Sequence, residues 1–244
     1  MPGPAVAAQP PEAPGFFGKL PEFSDFLSRR LPRSFLDPWD AWLQQGILSS
    51  RERLGVSWLD TYLTSPVWRF LLAPSVCGPF AWTGVLMPSV DRVGRHFPLT
   101  LSADLPTDIG LLPMLLESNW FDRLEQLALS TLDEPFDLES FDAQLQQLRP
   151  SLTLSVLVNK MKGSHNDAVS WCFGLAPGAS LAQSLPAIAE ALLNGRLERQ
   201  TFWWTSGSEK VRPCMLTYRG LPNSAAFAAL LDGNWTRWGW VSWL

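Results

Sequence analysis

The sequence predicts an α+β fold, with a largely antiparallel sheet, or sheets, and helices packed on it in one compact unit. Three observations carry this expectation. Short aromatic and β-branched runs gather in two clusters, one before residue 104 and one after residue 151. Pro and Gly separate the first runs by links too short for a helical crossover, which favours antiparallel pairing. Apolar residues at helical spacing gather between and after the two clusters. With 244 residues, 46% of them hydrophobic and 17% charged, the chain can bury a substantial core.

Residues 1–14, MPGPAVAAQPPEAP, read as a flexible Pro/Ala-rich arm. They carry no Lys or Arg and no apolar run, so they lack the pattern of a secretory signal. Residues 15–244 read as the folded α+β domain, with a subdomain junction placed near 133–150. The start of that domain, GFFGKLPEFSDFLSRRLP, reads as a structured, turn-rich stretch, because each X-Pro step biases the preceding residue towards extended backbone. The first helix follows over about 35–48, with Phe35, Trp39, Trp42 and Leu43 at helical spacing. Asp37-Pro38 reads as its start signal, Asp as N-cap and Pro where a missing N–H costs nothing. Trp39 and Trp42 should face inward.

Strands are expected at 66–73 (PVWRFLLA), 80–87 (FAWTGVLM) and 97–103 (FPLTLSA). A helical region follows over about 107–130, where Trp120, Phe121, Leu124, Leu127 and Ala128 share one face. A second helix is expected over 138–148 with Phe141, Leu145 and Leu148 apolar, stopped by Pro150. The acidic run LDEPFDLES between them reads as an exposed loop. Strand pattern returns at 152–158, 169–175, 200–205 and 213–218. Trp203 and Trp204 are neighbours on one strand and must face opposite sides. Over 180–194, Leu181, Leu185, Ile188, Leu192 and Leu193 form the apolar stripe of a helix capped by Ser180 and stopped by Gly195. A short helix over 223–231 should dock through Phe227, Leu230 and Leu231 and end at Gly233. The tail, with Trp235, Trp238, Trp240 and Trp243, reads as an edge strand sealing the core.

Composition excludes several function classes. The net charge is −4 and the pI is about 5.2, so no basic excess is present to hold phosphates, and nucleic-acid binding is not expected. Cys77, Cys172 and Cys214 lie far apart among apolar neighbours and read as buried free thiols of a reducing compartment. No apolar run approaches the roughly 18 residues of a bilayer span, so a cytoplasmic protein without direct membrane insertion is expected.

Candidate chemistry is sparse. Gly15-x-x-Gly18-Lys19 has two residues between its glycines and Leu20 after the lysine, which is not a phosphate loop. It reads as a turn with a surface lysine. His96 and His165 are far apart and no Gly-x-Ser-x-Gly elbow is present. The acids between 133 and 139 lack the spacing and central glycine of a calcium loop. The expectation is therefore no enzyme, no cofactor and no metal. The most unusual polar block is Ser89 to His96, SVDRVGRH. An Asp beside two Arg residues can lock a loop as a charged clasp, or can present Arg to an acidic or phosphorylated partner. The clasp is the favoured reading.

Three blocks resemble a known family. The first holds Gly18–Pro21 (GKLP), Asp25-Phe26, Arg30 to Pro32, Pro38-Trp39-Asp40 and Trp42-Leu43. The second is PVWRFLLAPSVCG with AWTGVLMPSVDRVGRHFPLTL, and the third is FWWTSGS. Together they resemble the type VI secretion-associated TagF family. Where that family carries Gly before the Asp-Phe pair this chain has Ser24, which argues against a positive-φ turn there. The resemblance implies a cytoplasmic, posttranslational repressor of type VI secretion that binds the forkhead-associated scaffold protein of that system. It implies Lys19, Asp25, Arg30, Asp40, Asp91, Arg92 and Arg95 as partner-binding positions, these being the polar residues inside apolar signature blocks. A structural component of the secretion apparatus and a hydrolase with an unrecognised site stay open as alternatives, as does homo-oligomerisation.

Overall fold

The computed structural model describes residues 13–106, 109–150, 185–186, 188–190, 193 and 196–241. Seven strands form one antiparallel sheet: β1 (Gly15–Gly18), β2 (Leu27–Arg29), β3 (Trp68–Leu72), β4 (Ala81–Met87), β5 (Leu99–Leu105), β6 (Gln200–Thr205) and β7 (Cys214–Arg219). Their spatial order is β2-β1-β5-β4-β3-β6-β7. Helices α1 (Arg33–Leu54), α2 (Trp58–Leu63) and α6 (Ser224–Asp232) cover one face. The other carries α3 (Leu111–Met114), α4 (Ser118–Leu129) and α5 (Leu138–Gln147). The expected α+β class therefore holds, with three layers.

Strand alternation assigns the two cores. On β3, β4 and β6, Phe70, Trp82 and Trp203 face α1, where Phe35, Trp39 and Trp42 meet them, and Phe227 of α6 meets Trp42 edge-on. Leu71, Val85, Leu101 and Leu105 face α4 and α5, against Phe121, Leu124, Phe141 and Leu145. Trp203 and Trp204 point apart as their spacing requires. Trp203 is buried against Trp39 and Trp42, while Trp204 meets the edge of Phe121 on α4. Gly46 lets α1 and α6 approach, because a Cβ there would stand 2.5 Å from the Phe227 ring. Asn223 caps α6 by accepting from Ala226 N at 2.8 Å, and Gly233 ends it in the left-handed conformation.

Several expectations are corrected. The stretch 15–29 is not turn alone. It contains β1, which pairs with both β2 and β5, through registers such as Phe16↔Arg29 and Phe16↔Leu101. Strands of 4 and 3 residues are too short to show alternation, and β1 is specified by the edge of β5 that it covers. Helix α1 begins at Arg33 with Pro32 as N-cap, so Asp37 is not the cap and Pro38 lies inside the helix. Leu31-Pro32 supplies an earlier X-Pro step, with the proline at the N-cap and not at the first helical position. Starting there buries Phe35 completely against Trp39 and Trp82. The helix also continues past 48 to Leu54, which the sequence hid because Ser49 to Arg53 is polar and leaves no apolar stripe to read.

Over its described residues, up to 241, the tail is not an edge strand. Residues Thr236–Trp238 form a 3-10 turn, Trp238 and Trp240 pack back on α6 and β7, and Trp235 meets Trp68 on β3 edge-on. Leu185, placed in a buried stripe, is 51% exposed. The strands expected at 152–158 and 169–175, the caps Ser180 and Gly195, Leu181, Leu192, His165, Cys172, Trp243 and residues 1–12 of the arm lie outside the described residues.

Candidate functional site

Five polar residues of the first two signature blocks lie where the turn after β1 faces the loop between β4 and β5. At the end of β1, Gly18 adopts φ 138°, where a Cβ would stand 2.1 Å from the Pro98 carbonyl oxygen. That backbone turns Lys19 inward. Lys19 is only 2% exposed, so it is not the surface lysine expected from the turn. Its Nζ donates to Asp91 Oδ2 at 2.7 Å and to the Ser24 carbonyl at 3.3 Å, and lies 4.3 Å from the centre of the Phe26 ring.

Asp91 opens the loop between β4 and β5 and is the hub of this clasp. Its Oδ1 accepts from the backbone N–H of Val93 at 3.0 Å and of Arg95 at 2.8 Å. Its Oδ2 accepts from Lys19 and from Arg95 Nε, the latter at 2.7 Å. The Arg95 guanidinium also donates to the Ser24 carbonyl, and Arg92 N–H donates to the Phe23 carbonyl at 3.1 Å. Loop 91–95 is thereby sewn to turn 20–26. Burial pushes the Asp91 carboxyl up, but the hydrogen bonds from Lys19 and Arg95 outweigh it and hold the group well below the usual carboxylate range. Ser24 is not in a positive-φ conformation; its carbonyl is the shared acceptor of the two cations.

Below the loop, Tyr62 on α2 donates to the Ser89 carbonyl at 2.8 Å and accepts from Ser89 N at 3.0 Å. His96 stands edge-on to Trp58 and Tyr62. Burial, then the nearby Arg51, lowers its pKa below the ordinary value, against the pull of Asp91. A second clasp lies on β2. Asp142 on α5 accepts from Arg29 at 2.7 Å and from Arg30, while Arg29 also bonds Glu139. Arg30 adopts φ 62° and donates through Nε to the Pro14 carbonyl at 2.7 Å. Burial raises the Asp142 pKa, and the bonds from Arg30 and Arg29 override that and bring it down to about 2.

The structure thus gathers five of the seven expected residues. Lys19, Asp91 and Arg95 form the first clasp, and Asp25 and Arg92 are exposed on the two segments it joins. Arg30 belongs to the second clasp. Asp40 lies apart on α1, where it accepts from Gln44 at 2.7 Å. Sequence reasoning passed over Phe26 and Val93, both exposed beside the first clasp. The signal was present for Phe26, an aromatic in the Asp-Phe pair with no helical or strand periodicity to bury it.

Chemically, the clasp holds segments together. Both oxygens of Asp91 are occupied, and the Lys19 ammonium is enclosed by Asp91, Ser24 and Phe26. Cys77 and Cys214 are free thiols pushed up by burial to about 12 and about 11. Among the described residues, no group of three or more His, Cys, Asp or Glu is arranged to hold a metal ion, and no helix is long and apolar enough to cross a membrane. An open cavity of about 340 Å³ between α4 and α5, lined by Arg123, Gln126, Gln144 and Gln147, contains none of the seven residues.

Comparison with known proteins agrees with the residues quoted above. A family model described as the TagF N-terminal domain, type VI secretion system-associated, matches residues 15–148. The crystal structure of PA0076 from Pseudomonas aeruginosa PAO1 superposes with a TM-score of 0.76 at 38% sequence identity, covering 95% of this chain and 98% of that one. No curated protein matches.

Proposed function

The chain belongs to the TagF family of type VI secretion system-associated proteins, and from that premise we propose that it is a non-enzymatic cytoplasmic regulator that represses type VI secretion after translation. It does so by binding the forkhead-associated scaffold protein of its own system and withholding it from assembly. No bond is made or broken; the effect scales with occupancy.

The observation that supports this most is how the charged signature residues are used. Lys19, Asp91 and Arg95 are bonded to one another and to backbone, and they rigidify two surface segments. A preorganised surface favours binding, because less conformational entropy is lost on association. Catalysis would instead ask for a titratable group aimed at a substrate site. Deleting the gene in its own host should raise type VI secretion, and restoring the wild-type chain should lower it again. Secretion that stays the same after deletion would contradict repression.

A further inference from the structure

We infer that the rim of the Lys19–Asp91–Arg95 clasp is the docking surface for the protein partner. Phe26 and Val93 are its apolar anchors and Arg92 its charged contact. The partner presents an apolar pocket beside a carboxylate. This inference rests on the binding reading above and names the surface that reading requires.

Phe26 is 50% exposed and Val93 is 62% exposed. Single exposed apolar side chains are ordinary on a folded surface. These two differ in how firmly they are held. The Phe26 ring stacks on Phe17 at 5.9 Å, meets Phe97 edge-on at 4.8 Å and carries the Lys19 ammonium on its face. Val93 sits at the tip of a loop whose backbone N–H groups at Val93 and Arg95 are both fixed by Asp91. A buried Lys–Asp pair is weak evidence for stability, since apolar residues of similar size often serve as well. Its distinctive effect here is to hold two anchor-bearing segments side by side. Rigid apolar anchors with a polar rim are the arrangement of binding hot spots.

The charge pattern gives the partner's character. Lys19 and Arg95 share the single charge of Asp91, so the clasp itself keeps one net positive charge, with the exposed Arg95 at its rim. Arg92 is exposed, its backbone is tied to Phe23, and its guanidinium has no acidic partner among the described residues. Docking the neighbouring anchors would remove water from around that cation, so the matching surface needs a carboxylate opposite it.

The test is calorimetric titration of the forkhead-associated scaffold with three full-length proteins: wild type, Phe26→Ser with Val93→Ser, and Arg92→Glu. Thermal unfolding verifies that each variant is folded. Arg92→Glu changes only an exposed side chain, so it keeps the test valid if the double variant is unstable. The inference predicts loss of affinity of roughly tenfold or more for each variant. It also predicts a weaker salt dependence for binding by a further variant, Arg92→Gln, than by wild type. Wild-type affinity in the folded variants would overturn this surface and leave the binding reading standing. No binding by the wild type would overturn both. A wild-type dimer that the double variant abolishes, with scaffold binding intact, would assign the surface to a second copy and overturn the inference.

Discussion

Lys19 shows how a residue can be visible in a sequence while its role is hidden. A lysine after a glycine turn reads as solvated, yet Gly18 at φ 138° sends it inward to Asp91, 72 positions away. Replacing it by Met should cost about 3 kcal/mol in urea unfolding, because Asp91 keeps its burial and loses a cation. A loss under about 1 kcal/mol would mean that Arg95 compensates alone. The abundant tryptophans follow a related rule, since a buried indole N–H needs an acceptor. Trp39 finds Thr100 Oγ1 at 2.9 Å and Trp42 finds the Pro222 carbonyl at 2.7 Å, whereas Trp82 Nε1 has no partner among the described residues. Trp39→Phe should therefore destabilise by about 1 kcal/mol more than Trp82→Phe, measured by the same unfolding assay. Asp142 sets an acid limit. Its folded pKa of about 2 lies below its ordinary 3.8, so its contribution is full above about pH 4 and is lost as pH falls towards 2. Asp91 acts in the same direction at lower pH. Chemical unfolding of Asp142→Asn should show a flatter decline over that range than wild type, and an equally steep one would refute the assignment.

Among the elements, legibility tracked length and periodicity. Helices α4, α5 and α6 were readable because each spans enough residues for its apolar face to repeat, and strands β3, β4 and β5 because Pro and Gly bound their aromatic and β-branched runs, which are buried on both faces. The hairpin β1–β2 was not, since its register is set by β5, some 85 positions away in the pair Phe16↔Leu101. The start of α1 was misplaced because two X-Pro signals compete there and only burial of Phe35 decides between them. The α1–α6 contact was also invisible. Gly46 reads as a weak point in a helix, but it is the seat of the Phe227 ring. Gly46→Ala should raise helix propensity by about 1 kcal/mol and still lower the melting temperature, because overpacking costs about 1–3 kcal/mol. A higher melting temperature would mean that the Phe227 ring yields without cost.

For the whole molecule, the sequence made the α+β class, the antiparallel pairing and the family signature readable, and it singled out the 89–96 block as a clasp. It did not reveal that the clasp reaches from that block to Lys19 and Ser24, because those contacts depend on β1 lying beside β5. It also did not separate Arg30 and Asp40 from the other five residues, since proximity within a signature block is not proximity in space. What emerges is a two-faced antiparallel sheet whose loops at the ends of β1, β4 and β5 carry a rigid, braced surface, in a chain of the type VI secretion-associated TagF family. The central claim is that this protein works by binding and not by turnover. Calorimetry of the purified protein with the forkhead-associated scaffold of its own system, phosphorylated and unphosphorylated, tests that claim most directly. Saturable binding to at least one form is the predicted result, and any difference between the two would show how phosphorylation tunes that binding. No heat of binding to either form, with both proteins folded, would contradict it.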